Sequence, residues 1–221
     1  MFRCVVRALA VLCLGSTIAC NASSAAVAIP NPASDEPLAK VKGSETVVLA
    51  GGCFWGIQAV FEHVKGVTGV TAGYSGGSAN TAQYEMVSTG MTGHAESVKI
   101  TYDPSQISYG QILKVYFSVA HDPTELNRQG PDDGTQYRSA IFYSKDEQKR
   151  IAQAYIGQLN QAKVFSRPIV TQVVAFQAFY PAEDYHQDYA VHHPNDPYIR
   201  INDLPKVAHL RQQLPDLYVG H

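Results

Sequence analysis

Residues 47–64 read Val47-Val48-Leu49-Ala50-Gly51-Gly52-Cys53-Phe54-Trp55-Gly56-Ile57-Gln58-Ala59-Val60-Phe61-Glu62-His63-Val64. The unbroken apolar run at its start suits a buried strand over Glu45 to Ala50, and the Gly pair ends it. Beyond it, Phe54, Ile57, Val60, Phe61 and Val64 recur at steps of three and four, one face of a helix running to about His63. Cys53 therefore falls at a strand-to-helix junction. Unpaired backbone N–H groups and the helix dipole favour a thiolate there. Gly allows another molecule close approach, and Phe54 and Trp55 offer an apolar wall. A lone cysteine is often an inert buried side chain; the glycine-flanked helix start points instead to a nucleophile with an apolar pocket.

The other cysteines are Cys4, Cys13 and Cys20, all within the first twenty residues. A basic start (Arg3, Arg7), an apolar run from Ala8 to Leu14 and a small-residue exit describe a secretory signal peptide over residues 1–20. The run is short of the roughly 20 apolar residues of a membrane span. Thr17-Ile18-Ala19-Cys20 resembles a lipoprotein processing site, with Cys20 acylated as a lipid anchor; cleavage within residues 21–28 is the other exit. Residues 21–43, rich in Ala, Ser and Pro, read as a flexible tether. The expected location is the periplasm, with or without the anchor. Residues 44–221 then form one domain with a single thiol and no internal disulfide. Exported domains usually carry paired cysteines, which makes the leftover one notable. The net charge of −2 and the lack of a basic stripe argue against nucleic acid as a partner.

The pattern predicts further strands over Val67–Tyr74, His94–Tyr102, Arg138–Tyr143 and Ile169–Phe176. Ser108 and Gln111 have capping-box spacing and open a helix through Ala120; Ser144 and Glu147 are a second candidate, opening a helix to about Ala162. Residues 122–134 read as a long loop. From Pro181 the chain should wrap irregularly, with a short helix near Pro205 to Leu214. Several strands are separated by loops alone. The expected class is therefore α/β (α+β): a mixed sheet with helices packed against it, rather than a doubly wound parallel sheet. No Gly-rich dinucleotide motif implies a nicotinamide or flavin.

Glu96 shares a strand face with Val98, Ile100 and Tyr102. If that face is buried, desolvation keeps the carboxyl neutral near pH 7, able to donate a proton. Glu96 lies near the strand start, so a glutamate reaching solvent is the competing reading. Tyr84 and Tyr137 flank irregular segments, where functional groups concentrate, and a phenol donates well to a polarised oxygen. Asp132 can orient a tyrosine or an arginine, or form a turn. His186, His192 and His193 lie near Asp184 and Asp188, but without metal-like spacing they read as structural, and no metal is expected.

Gly52-Cys53-Phe54-Trp55-Gly56 resembles the signature of the A-type peptide methionine sulfoxide reductases. Gly73-Tyr74-Ser75-Gly76-Gly77, Gly93-His94-Ala95-Glu96, Tyr102-Asp103-Pro104, His121-Asp122-Pro123, Gly134-Thr135-Gln136-Tyr137-Arg138-Ser139 and Ala182-Glu183-Asp184-Tyr185-His186-Gln187 follow in the family's order. His193-Pro194-Asn195 and Pro197-Tyr198-Ile199 continue it. The resemblance spans about Thr46 to Leu214. It implies a two-layer sandwich around a ferredoxin-like core, a monomer, and reduction of the S-epimer of methionine sulfoxide, free or in oxidised proteins. It also implies that Cys53 is the nucleophile, that Phe54 and Trp55 receive the methyl group, and that Glu96 protonates the oxygen with help from Tyr84 and Tyr137. Asp132 matches a further polar position. No bound cofactor is implied, only an external thiol: a thioredoxin-like protein, a small thiol, or dithiothreitol in vitro. Many relatives carry extra cysteines near the C-terminus that resolve the sulfenic acid. Residues 207–221 hold none, so an outside thiol is expected to attack Cys53 directly. Two other readings are a cysteine hydrolase using His186 or His193 as base, and a sulfoxide- or peptide-binding module without turnover.

Overall fold

β1 (Glu45–Ala50) runs into Gly51-Gly52, and α1 (Phe54–Glu62) begins directly after Cys53. The computed structural model describes residues 29–220. The signal-peptide reading and Cys4, Cys13 and Cys20 fall outside these residues. After α1 come β2 (Val67–Ser75), α2 (Tyr84–Val87) and β3 (Ala95–Tyr102). α3 (Tyr109–Val115) continues into a π-type turn over Tyr116–Ala120. Two short strands, β4 (Arg128–Gln129) and β5 (Asp132–Asp133), pair inside the expected loop. β6 (Ala140–Tyr143), α4 (Asp146–Gln161), β7 (Gln172–Ala175), β8 (Phe179–Pro181), α5 (Tyr189–His192) and α6 (Leu204–Gln213) complete the chain.

The six-stranded sheet has the order β7-β6-β1-β3-β2-β8. Its centre, β6-β1-β3-β2, is antiparallel throughout, and with α1 and α3 as connections it is the ferredoxin-like arrangement. β7 joins β6 in parallel, so the sheet is mixed. Period two then assigns the faces. Val47, Leu49, Val98, Ile100 and Tyr102 lie in the main core with Phe54, Ile57, Val60, Phe61 and Val64 of the α1 stretch. Val48, Ala50, Ala95 and Phe142 face the other way, under Phe176 and Phe179.

Local signals held in one place and failed in another. Ser108 Oγ accepts the Gln111 N–H, and Gln111 Oε1 accepts the Ser108 N–H, completing the capping box. The Ser144 box does not form. α4 is capped by Lys145 instead, Ser144 gives its N–H to Gln148 Oε1, and Glu147 pairs with Arg150. β8 lay unseen at the edge of the segment read as irregular; it pairs with β2 and ends at Pro181, which has no N–H to extend a ladder. The tether expected over 21–43 is, from residue 29, a packed strap. Pro30 O accepts the Tyr155 hydroxyl at 2.7 Å, and Asp35 accepts from Ser108 Oγ and the Gly110 N–H. Farther along, the Ala39 N–H reaches Pro104 O at 2.9 Å and the Gly43 N–H reaches Asp103 Oδ1 at 3.2 Å.

One buried histidine ties the sheet to the π-type turn. His121 Nδ1 lies 3.2 Å from Tyr116 O, and its Nε2 lies 2.7 Å from Ser139 Oγ. A neutral ring with its proton on Nδ1 satisfies both. Burial, opposed in part by the Tyr116 carbonyl, pushes the His121 pKa down to about 3. The folded protein therefore binds fewer protons than the unfolded chain below pH ~6.5. The stability contributed by this ring is complete above that pH and falls as the pH drops toward 3, by on the order of a few kcal/mol. Urea unfolding at pH 7 and pH 5 should show a smaller acid loss in His121→Asn than in the native protein. Parallel losses would exclude His121 as the source.

Candidate active site

Cys53 is the N-cap residue of α1 and caps nothing with its own side chain. Gly52 before it has φ of +99°, and a Cβ there would lie 2.5 Å from Gln129 Cγ, so β4 can close against the junction only over a glycine. The Cys53 side chain is 8% exposed and borders a cavity of about 170 Å³. All seven predicted site residues line this cavity. Cys53, Phe54 and Trp55 come from the start of α1, and Glu96 from β3. Tyr84 opens α2, Asp132 lies on β5, and Tyr137 ends the turn before β6. A larger recess of about 520 Å³ opens at the other end of α1 and has no cysteine in its lining.

Each functional side chain is held from behind. Glu96 is 2% exposed, and its Oε2 accepts the Phe54 N–H at 3.1 Å, so the carboxyl is tethered to the residue after the thiol. Burial pushes its pKa up to about 8; the Phe54 N–H opposes this, while Asp132 and Asp203 reinforce it. Glu96 therefore carries a proton at neutral pH, and the solvent-reaching alternative is excluded. Across the strand pair, Glu96 faces Tyr74. The Tyr74 hydroxyl donates to Glu183 Oε2 at 2.8 Å, and the other Glu183 oxygen accepts the Tyr84 N–H at 2.9 Å. Glu183 thus clamps the start of α2 to β2 and places Tyr84. Arg138 donates to the carbonyls of Gly93 and His94, tying the turn that carries Tyr137 to the start of β3. Burial first and Glu96 second raise the pKa of both Tyr84 and Tyr137, which keeps them hydrogen-bond donors.

Trp55 stacks on Tyr189 with ring centroids 3.8 Å apart and planes 8° from parallel. Its Nε1–H donates to His186 Nδ1 at 3.3 Å. His186 is 2% exposed and packs against Phe54, Trp55 and Tyr84. Its burial lowers the ring pKa. It does not line the cavity, and its Nδ1 is taken by Trp55, so it is no base for Cys53. His193 is exposed and packs on Tyr189. The cysteine hydrolase reading therefore lacks its base. Among the described residues, no three His, Cys, Asp or Glu side chains converge for a metal.

The helix start does work on Cys53, because the Trp55 N–H favours the thiolate. Burial outweighs it, with Glu96 and Asp203 adding, and pushes the thiol pKa well up. The resting group is a thiol, not the expected thiolate. Tyr198 also lines the cavity, edge-on to Trp55 at 6.0 Å, and its hydroxyl donates to Asp132 Oδ2. Asp132 thus orients a tyrosine, and the arginine and bare-turn options fall away. Only the ordered motif Pro197-Tyr198-Ile199 signalled this residue in the sequence.

The family model of peptide methionine sulfoxide reductase matches residues 45–217. The chain belongs to this family. A peptide methionine sulfoxide reductase of Mesorhizobium japonicum is 62% identical over 176 residues, covering 80% of this chain and 90% of that protein. One from Synechocystis is 55% identical over 190 residues, covering 85% and 89%. Among solved structures, methionine sulfoxide reductase A of Corynebacterium diphtheriae matches with a TM-score of 0.60 at 34% identity, covering 69% of this chain and 76% of that one. This peptide methionine sulfoxide reductase is of the A type, a peptide-methionine (S)-S-oxide reductase that reduces methionine sulfoxide and repairs oxidised protein. The enzymes of this family need no prosthetic group.

Proposed function

We propose that Cys53 Sγ attacks the sulfur of the S-epimer of methionine sulfoxide while Glu96 hands its proton to the departing oxygen. The observation that carries this is the pairing of a lone thiol with a carboxylic acid held neutral by burial in one cavity. A sulfoxide sulfur is a poor electrophile until its oxygen is protonated or strongly hydrogen-bonded, and Tyr84 and Tyr137 add two donors as charge develops there. Phe54 and Trp55 take the methyl group, with the indole face fixed by Tyr189. Asp132, held by Tyr198, takes a polar part of the substrate.

The first half-reaction breaks the S–O bond of the substrate and forms one on Cys53: the oxygen ends as the hydroxyl of a Cys53 sulfenic acid, the thiol proton replaces the one Glu96 gave, and methionine leaves, the sulfoxide having gained the two electrons that the cysteine sulfur gave up. An outside thiol then forms a mixed disulfide with Cys53 and releases water, and a second thiol restores Cys53. This donor is a thioredoxin-like protein or a small thiol, because no cysteine follows Cys53 in the sequence. The substrate is free or protein-bound, and the enzyme acts as a monomer. On the reading of residues 1–20 it acts in the periplasm, with Cys20 as a candidate lipid anchor.

The test is to incubate the protein with each purified sulfoxide epimer and dithiothreitol and to measure methionine. Consumption of the S form alone is expected. Equal turnover of both epimers, or of neither, would overturn the assignment.

A further inference from the structure

Asp203 has a full burial that the chemistry above does not use. It is 0% exposed, and its Oδ2 has no hydrogen-bond partner among the described residues. It stands at the N-cap of α6, where an aspartate usually accepts from its own helix. Here it caps nothing. Its Oδ1 instead accepts from Lys206 Nζ at 3.0 Å, and the pair lies against Gly56. A Cβ on Gly56 would lie 2.1 Å from Asp203 Oδ1 and 2.7 Å from Lys206 Nζ, so only glycine leaves room for it. Gly56 is three residues beyond Cys53. Residues at that spacing share a helix face, and in a capping box this third position carries the carboxyl that reaches back to the N-cap. α6 therefore brings an ion pair from a distant part of the chain to the face of α1 above the thiol.

We propose that Asp203 and Lys206 are positioning residues for the Cys53 thiol: the pair docked on Gly56 sets the field in which that thiol gives up its proton. This rests on the reading of Cys53 as the nucleophile. The two charges pull in opposite directions. The Asp203 carboxylate disfavours a thiolate, and the Lys206 ammonium favours it. Asp203 holds the ammonium at the helix start, where a long lysine stem would otherwise swing free. The other groups facing Cys53 are Glu96 from β3, the Trp55 N–H of α1 and the phenols of Tyr84, Tyr137, Tyr189 and Tyr198. Asp132 and Asp196 face Asp203, and Asp132 and His121 also feel Lys206. Glu96 ionises near 8, below the range in which the thiol titrates, so its carboxylate acts on the same sulfur alongside the Asp203–Lys206 pair.

The experiment is the pH profile of Cys53 alkylation by iodoacetamide, followed by mass spectrometry on the Cys53 peptide of the full chain. Asp203→Asn leaves the ammonium unopposed and should move the profile to lower pH. Lys206→Met leaves the buried carboxylate unopposed and should move it to higher pH, each by on the order of one pH unit. Lys206→Arg keeps the charge and should restore the native profile. The pH dependence of kcat/KM should move with the alkylation profile. Unchanged profiles in both charge-removing variants, or shifts in the same direction, would overturn the proposal. Alkylation does not depend on sulfoxide turnover. A protein inactive on both epimers would therefore refute the functional reading, while the opposed shifts would still decide the role of the pair.

Discussion

Cys53→Ser should abolish sulfoxide reduction, with kcat lowered by on the order of 10⁴-fold or more. The hydroxyl is a far weaker nucleophile, and oxygen has no counterpart to the sulfenic acid of the proposed cycle. The fold should survive. Serine is close to cysteine in size, and the position borders a cavity that can hydrate a hydroxyl. Circular dichroism should therefore match the native protein while methionine release from the S-epimer disappears. One equivalent of sulfoxide under non-reducing conditions should add a single oxygen to the native Cys53 peptide and none to the variant. Turnover of the serine variant, or a disulfide between Cys53 and another cysteine of the same chain, would contradict the one-cysteine cycle.

Glu96→Gln should come second in size, with a loss in kcat of roughly 10²- to 10⁴-fold. The amide can still accept the Phe54 N–H, so the first turn of α1 keeps its brace. It has no proton to transfer to a leaving oxygen. The pH profile separates this account from a packing effect. Native activity should fall as the pH rises through about 8, because the acid form of Glu96 is lost there. A higher pH makes more Cys53 thiolate, which acts in the opposite direction. A falling limb near 8 therefore belongs to the carboxyl, and the residual activity of Glu96→Gln should lack it. The same group affects stability. Its folded pKa is raised, so its contribution is fully present below pH ~4.5 and is lost as the pH climbs through 8. A falling limb that persists in the glutamine variant would remove Glu96 from the acid role.

The sequence made the centre of the site readable because two simple periods meet there. The three- and four-residue spacing after Cys53 placed the thiol at a helix start. Alternation in β3 placed Glu96 on the face with Val98 and Ile100, both fully buried. What was harder to read comes from contacts between distant parts of the chain. Tyr198 and Asp203 lie in a segment with no periodic pattern, so nothing local shows that one meets Asp132 and the other meets Gly56. The charge state of Cys53 is hard to read from sequence for a related reason. The favourable Trp55 N–H is local and visible in sequence, whereas the desolvation that outweighs it depends on everything packed around the sulfur. The Ser144 box failed because α4 starts one residue later than the motif suggested, which left Glu147 free for Arg150.

The strap over residues 29–43 separates the unit defined by descent from the unit defined by physics. The family match opens at residue 45, yet the loop after β3 and the first turn of α3 are completed by atoms upstream of it. A fragment trimmed to the alignable stretch would strip Asp35 from Ser108 and Gly110, and Pro30 from Tyr155. Boundaries drawn for expression or grafting belong before residue 29.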